Sequence, residues 1–504
     1  MKKVFTLFLA LAMILSLCAC GGSGEEGSKG FGKDTGKDTA AFDTLAVGVS
    51  RQDITPDHPI GAHINGGGDP NRLAEGILDD LTITCIAITD KENNTVLFYS
   101  QDIHNPVGSW TTTYRQNISE ATGVPVENIY MTATHTHSSL MPTDGTNAQN
   151  EEFTAKYETA IIAAAQEAMA DRAPAQMYCS EVDVQEKNNG QAMAFVRHLT
   201  MKDGSVWGSN FGKYNFAMVD GFPYEADNEA QLIKFTREGK NGVLMMNWPA
   251  HSTFHGTTSL RNISADYPAY VREYIEENTD YTFAIFLSGA GDQVPRMQQH
   301  PAANHGMECD AYGAALGKII TDYTADDTNF RQVTDDVIKL ENKVVTVNTN
   351  KIPDDMAALA LKAKDVYQYF LENGQEDGTT YAVANGFQSC YEARSFVNRM
   401  NLEDTMDIPL DVMTLGNMAF AIARYEISGG SSKAIKDAFK QSDDYTMAFV
   451  VGYCNDNLGY IPNELNYEYN GGRGSYEAYD CKYAKGTCEQ LTDAYIQMIK
   501  DMKA

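Results

Sequence analysis

Two histidines separated by one residue, His135 and His137, stand in the stretch MTATHTHSSL, Met131–Leu140. Imidazole is a common metal ligand and a general base. Ile129, Met131 and Ala133 alternate with Tyr130, Thr132 and Thr134, a period of two that predicts a strand. If the strand runs on through the histidines, both rings lie on one face, because side chains alternate across a strand. Such a pair can begin a metal site; the competing reading is a polar strand end with two hydrogen-bonded histidines.

Other candidates follow apolar runs in the same way. His251 and His255 sit in MNWPAHSTFHG. Pro249 and the missing Glu exclude the helical H-E-x-x-H arrangement, so His251 is the ligand candidate and His255 a supporting or surface residue. Asp266 in ISADYP and Asp292 in LSGAGDQVP lie in loops after apolar segments. An Asp in such a loop is usually a turn former, but loops after buried strands are also where α/β proteins place ligands. Glu426 is read as the end of the strand FAIARYEI, where an ionised carboxylate is costly to desolvate without a partner. Tyr460, in CNDNLGYIPNE, is ambiguous by itself.

The elements that must position these residues alternate. LAVGVSRQDITP, LTITCIAITD and NTVLFYSQDI read as strands, and the glycines Gly66–Gly68 between them lack the spacing of a phosphate loop. Helical periodicity marks Glu152–Arg172, Pro268–Asn278, Ala311–Tyr323, Met356–Glu372 and Glu489–Met502. AQLIKF, GVLMMNW, FAIFLSG, MAFAIARYEI and TMAFVVGY read as further strands. The alternation predicts an α/β fold of layered mixed sheets flanked by helices, with a polar join near residues 324–337.

Residues 1–19 carry Lys2 and Lys3 and the apolar run Val4–Leu17, which leads into Leu17-Cys18-Ala19-Cys20. The run is short for a membrane span and reads as an export signal. Its end resembles a bacterial lipoprotein box, which implies cleavage before Cys20 and a lipid on that sulfur. Residues 20–41 are Gly-rich and charged and form a flexible tether, so residues 42–504 are the folded part, outside the cytoplasmic membrane. A net charge of −29 and a pI near 4.6 argue against nucleic acid and against electrostatic docking to anionic lipid. Seven cysteines remain after Cys18 and Cys20. Cys85 reads as a buried hydrophobe, Cys481 and Cys488 are spaced for a local disulfide, and no C-x-x-C pair exists.

The order GVSRQDITP, TATHTHS, FVRHLTMKDG, NWPAHSTFHG with ISADYP, SGAGDQVP, YEISGG and LGYIPNE resembles the neutral ceramidase family, in the form of a smaller bacterial relative. The likeness spans about Leu45 to near the C-terminus, without the family's immunoglobulin-like C-terminal domain. The resemblance implies one catalytic Zn2+ held by His135, His251, Glu426 and Tyr460. It implies that His137 and Arg197 face the polarised carbonyl and that Tyr460 also passes a proton. The family usually has Pro-Gly-Glu where this chain has Arg424-Tyr425-Glu426, and a serine where this chain has Val294. The expected activity is zinc-dependent hydrolysis of an amide, ceramide or a related N-acyl lipid. The alternatives are another amide or ester substrate, or a catalytically silent binding lipoprotein of the same fold.

Overall fold

The structure is a computed structural model that describes residues 41–66, 71–143, 145, 147–208, 216–256, 260–296 and 307–503. The export signal, Cys20 and the tether lie outside the described residues. Residues 37–504 form one compact unit.

A nine-stranded sheet runs in the order 281–287, 240–248, 229–237, 173–183, 46–53, 82–89, 95–101 and 129–133, with Arg331–Gln332 paired to the strand Ala173–Asp183. Its interior pairings are antiparallel, and the two outermost are parallel: 240–248 with 281–287, and 95–101 with 129–133. A parallel pair needs a long crossover, and helices supply both. Gly108–Thr122 joins one pair, and Tyr267–Asn278 lies between the strands of the other. The sheet curls so that its edges approach, and Ser100 Oγ donates to the Ile285 carbonyl at 2.6 Å.

A second sheet, ordered 338–348, 405–415, 418–422 and 447–451, packs face to face on the first. Phe98 stacks between Tyr130 and Phe420, with ring centroids 5.0 and 5.6 Å away. Each such buried ring contributes roughly 2–3 kcal/mol. Gln231 and Asn247 fix the relative placement of the sheets. Their amides bond each other at 2.7 Å and reach the Ala448 and Val450 carbonyls at 2.9 Å each.

Helices cover the outer faces, giving helix–sheet–sheet–helix layers. The helices expected over Glu152–Arg172, Pro268–Asn278, Ala311–Tyr323 and Glu489–Met502 are Ala148–Ala170, Tyr267–Asn278, Cys309–Thr324 and Thr487–Asp501. The helix expected over Met356–Glu372 extends to Ala384, with a break at Gly374, where φ is +81°. The join near 324–337 carries the chain from the first sheet into the second. No helix among the described residues is long and apolar enough to cross a membrane.

Three expectations need correction. The strand Ile129–Ala133 stops before the histidines, because Thr134 leaves the ladder and His135 takes φ +56°. The strand Met418–Ile422 stops before Glu426, which starts a separate two-residue strand. Arg424 causes the detour by turning aside to bond Asp411 at 2.6 and 2.9 Å. Cys481 and Cys488 are not bridged, and the seven described cysteines are buried free thiols. Cys488 Sγ faces Ser428 Oγ and Cys481 Sγ faces Tyr467 and Tyr483 instead.

Candidate metal centre

The C-terminal ends of the parallel strand pairs meet at one place, as α/β sheets favour for ligand sites. His135 lies two residues beyond the strand Ile129–Ala133. Its left-handed backbone turns both rings inward, so His137 Nε2 comes within 3.2 Å of His135 Nε2 without a shared strand face. A non-glycine residue at this φ costs roughly 1–3 kcal/mol and persists where surrounding bonds overdetermine it. Here Thr134 N donates to the Gln101 carbonyl at 2.8 Å and Ala133 N to the Tyr453 carbonyl at 3.2 Å.

His251 arrives from the other parallel pair, three residues beyond Trp248. The loop Ser288–Val294 clamps it: His251 Nδ1 donates to the Ala290 carbonyl, and His251 N to the Gln293 carbonyl at 3.0 Å. The same loop holds Arg197, through its backbone N on the Asp292 carbonyl and its Nη2 on the Gly291 carbonyl. Gly291 is required there, since a Cβ would lie 2.6 Å from the Glu426 carbonyl oxygen and 2.7 Å from that of Ile427. Asp292 accepts from Tyr224 OH at 2.7 Å and from Gly429 N at 2.8 Å, tying this loop to the segment that carries Glu426.

The side chains converge. His135 Nε2 and His251 Nε2 are 3.1 Å apart, and Glu426 Oε2 is 3.6 and 3.4 Å from them. His135 Nδ1 donates to the His104 carbonyl at 2.7 Å, and His251 Nδ1 donates to a carbonyl also. A carbonyl only accepts, so each neutral ring carries its proton on Nδ1 and leaves Nε2 bare. Two bare nitrogens and a carboxylate oxygen, all buried, face one another. Three facing acceptors repel one another, a cation between them would relieve that repulsion, and Nδ1–H bonds of this kind orient metal-binding histidines. The donor set of two imidazoles and a carboxylate suits zinc.

Tyr460 lies beside Glu426, its partner in the parallel pair of two-residue strands. Burial, and after it the Glu426 carboxylate, raises the Tyr460 phenol well above its ordinary range. Arg197 lies over the Tyr460 ring, 5.2 Å from its centroid. The other candidates hold structure: Asp266 accepts from His255 N and Tyr267 N at 2.8 Å each, capping a helix. The His255 carbonyl accepts from Arg72 and Ser138. Val294 packs with Phe195, Leu199 and Phe222 in a small apolar cluster.

Four residues were not singled out from the sequence. Tyr453 OH donates to Glu426 Oε2 at 3.3 Å and its ring lies 4.3 Å from that of His135. Glu477 binds Arg197 Nε at 2.5 Å and His198 Nε2 at 2.9 Å. Neither carries a sequence signal. His104 and Asn105 did: they follow the apolar strand Thr95–Gln101, as His135 follows its own.

Two solved ceramidases share this architecture. One, described as ceramidase complexed with C2, superposes with a TM-score of 0.62 and is 13% identical, covering 90% of this chain and 74% of that one. The other, neutral ceramidase from Pseudomonas aeruginosa, gives 0.61 and 13%, covering 90% and 73%. The chain has the neutral ceramidase fold. No family model and no curated protein matches its sequence. At 13% identity the neutral ceramidase likeness is one of fold, and the site above stands on its own geometry.

The histidine cluster makes stability depend on pH. Burial first, then neighbouring imidazoles, lowers His135 and His137 well below the usual range, and burial pushes His104 down to about 4. Their folded values lie below the unfolded one, so their stabilisation is complete above pH ~6.5 and is lost as pH falls through that range toward 4. His104 alone accounts for about 3 kcal/mol. Asp79, pushed up to about 6 by burial, works in the opposite sense, gaining stability as pH falls below that value. The expected result is therefore a difference: His137→Asn loses less stability than the parent between pH 7 and 4.5 in urea unfolding of the metal-free protein. Parallel profiles for the two would contradict this.

Proposed function

We propose that the protein is a zinc-dependent hydrolase of N-acyl amides, of the ceramide type, held outside the cytoplasmic membrane by a lipid on Cys20. The observation that carries the reading is the facing pair of bare Nε2 atoms on His135 and His251, with Glu426 beside them. The ceramidase fold and the lipid implied by the lipoprotein box support a lipid amide substrate.

His135, His251 and Glu426 would hold the ion, with Tyr460 as the fourth ligand. Zinc supplies Lewis acidity and lowers the pKa of a water to ~7. The residues around it do the rest. Glu477 holds Arg197 charged, and Arg197 with His137 faces the oxygen where negative charge develops. Such a donor is worth ~3–4 kcal/mol in the transition state. Tyr460, paired with Glu426, would pass a proton to the departing nitrogen. Val294 has no hydroxyl and takes no part in attack. Its replacement of the family serine favours a second reading, hydrolysis of a different amide or an ester at the same site.

The test is fatty-acid release from a short-chain ceramide by the purified protein, with and without a zinc chelator. Release that stops with chelator and returns with zinc is the expected result. Release from small amides or esters alone would select the second reading, and zinc binding without turnover of any of them would leave a silent site.

A further inference from the structure

His104, His135 and His137 each offer a ring nitrogen within 4.8 Å of the other two. By distance alone this is a second set of ligands that shares His135 with the first. The hydrogen bonds decide otherwise. Asn105, buried, bridges the two stacked rings of His104 and His135, whose centroids are 4.6 Å apart. Its Oδ1 accepts from His135 Nδ1 at 2.9 Å, and its Nδ2 lies 2.9 Å from His104 Nδ1. The amide cannot be reversed, because His135 Nδ1 already carries the proton it gives to the His104 carbonyl, and a reversed amide would set N–H against N–H. The amide nitrogen only donates, so His104 Nδ1 accepts. The single proton of the neutral ring is then on Nε2. Asn105 thus sets opposite tautomers on adjacent rings: His135 has a bare Nε2 for an ion, and His104 has an Nε2–H.

His104 is also less buried than His135 and lies edge-to-face against His137, at 4.6 Å between centroids. His104 and His137 are thus the two partly exposed rings of the cluster, while His135 and His251 are buried. Resting on the hydrolase reading above, we propose that His104 stands outside the metal's ligand set and donates its Nε2–H to the oxygen of the substrate's reacting carbonyl, with Asn105 as its positioning residue. No proton is transferred by His104; the bond strengthens as charge grows on that oxygen.

The experiment uses the full-length protein labelled with 15N-histidine and loaded with zinc. The histidine signals that vanish in His104→Ala are expected to show the proton on Nε2, with and without zinc. Bound zinc stays at the parent stoichiometry in that variant, while kcat for the amide falls ~10²-fold with little change in KM. In Asn105→Asp the carboxylate accepts from both rings, so the His104 proton moves to Nδ1, zinc stays bound and kcat falls as in His104→Ala. Loss of zinc from His104→Ala, or a proton on His104 Nδ1 in the parent, would overturn the proposal and make His104 a ligand. Unchanged kcat in His104→Ala would overturn the donor role. A parent protein that cleaves neither amides nor esters would instead refute the hydrolase reading, while the tautomer and the zinc count would still place His104 inside or outside the ligand set.

Discussion

Glu426→Gln is expected to abolish tight zinc binding while leaving the metal-free protein at least as stable as the parent. The two effects have opposite signs for one reason. In the metal-free protein Glu426 Oε2 faces two bare imidazole nitrogens at 3.4 and 3.6 Å and accepts from Tyr453 OH at 3.3 Å. A carboxylate taken out of water with so little compensation costs several kcal/mol. Glutamine keeps the shape, removes the charge and can donate an N–H to one of the imidazoles, which relieves that cost. With zinc bound the same charge is what the ion requires. Loss of a supporting partner already costs ~10–100-fold in metal affinity, and loss of a charged ligand should cost more. Zinc titration by calorimetry, with thermal unfolding in chelator and in zinc, checks both signs. The parent should gain stability with zinc through linkage, and the variant should gain none. Equal zinc affinity in the two would remove Glu426 from the centre.

The second large effect is structural. Glu477→Ala is expected to destabilise the protein by about 3–5 kcal/mol, the scale for breaking a buried ion pair from one side. Glu477 and Arg197 are both buried, with side chains 2% and 7% exposed, and His198 completes the contact. Burial by itself raises the Glu477 carboxyl, but Arg197 and His198 outweigh it and hold the group well below the usual carboxylate range. Its folded value lies below its unfolded one, so the stabilisation is present above pH ~4.5 and lost as pH falls below that. Removing the carboxylate leaves the Arg197 guanidinium with the Gly291 carbonyl and the faces of Tyr460 and Tyr476. Urea unfolding at pH 7 measures the loss. The double variant Glu477→Leu with Arg197→Met should recover part of it, because neither charge is then left alone. A Glu477→Ala protein within ~1 kcal/mol of the parent would show that the pair is solvated in solution.

Much of this molecule could be read along the chain. Apolar and alternating runs located strands such as Thr82–Thr89, Thr95–Gln101 and Tyr281–Leu287 but not Ala173–Asp183 or Thr405–Leu415, and 3.6-period runs located the helices Ala148–Ala170 and Cys309–Thr324 to within a few residues. His135, His251 and Glu426 stood out because each polar residue follows an apolar run, and all three converge. The limits were local. Nothing in MTATHTHSSL says that the strand ends at Ala133, because His135 takes its left-handed turn only where Gln101 and Tyr453 receive the neighbouring amides. Nothing in FAIARYEI says that the strand breaks before Glu426, because the break depends on Asp411 across the sheet.

The sequence by itself determined which residues can be buried, which runs form strands and helices, and which side chains bear chemistry, since these depend on residue type and spacing. The tertiary structure alone decided what those side chains do. Arg197 and Glu477 are 280 positions apart, and Asn105 meets His135 from the loop after a neighbouring strand. Whether an imidazole is a ligand or a donor depends on which of its nitrogens meets an acceptor. That contact comes from another part of the chain, brought there by sheet pairing, and no local pattern encodes it.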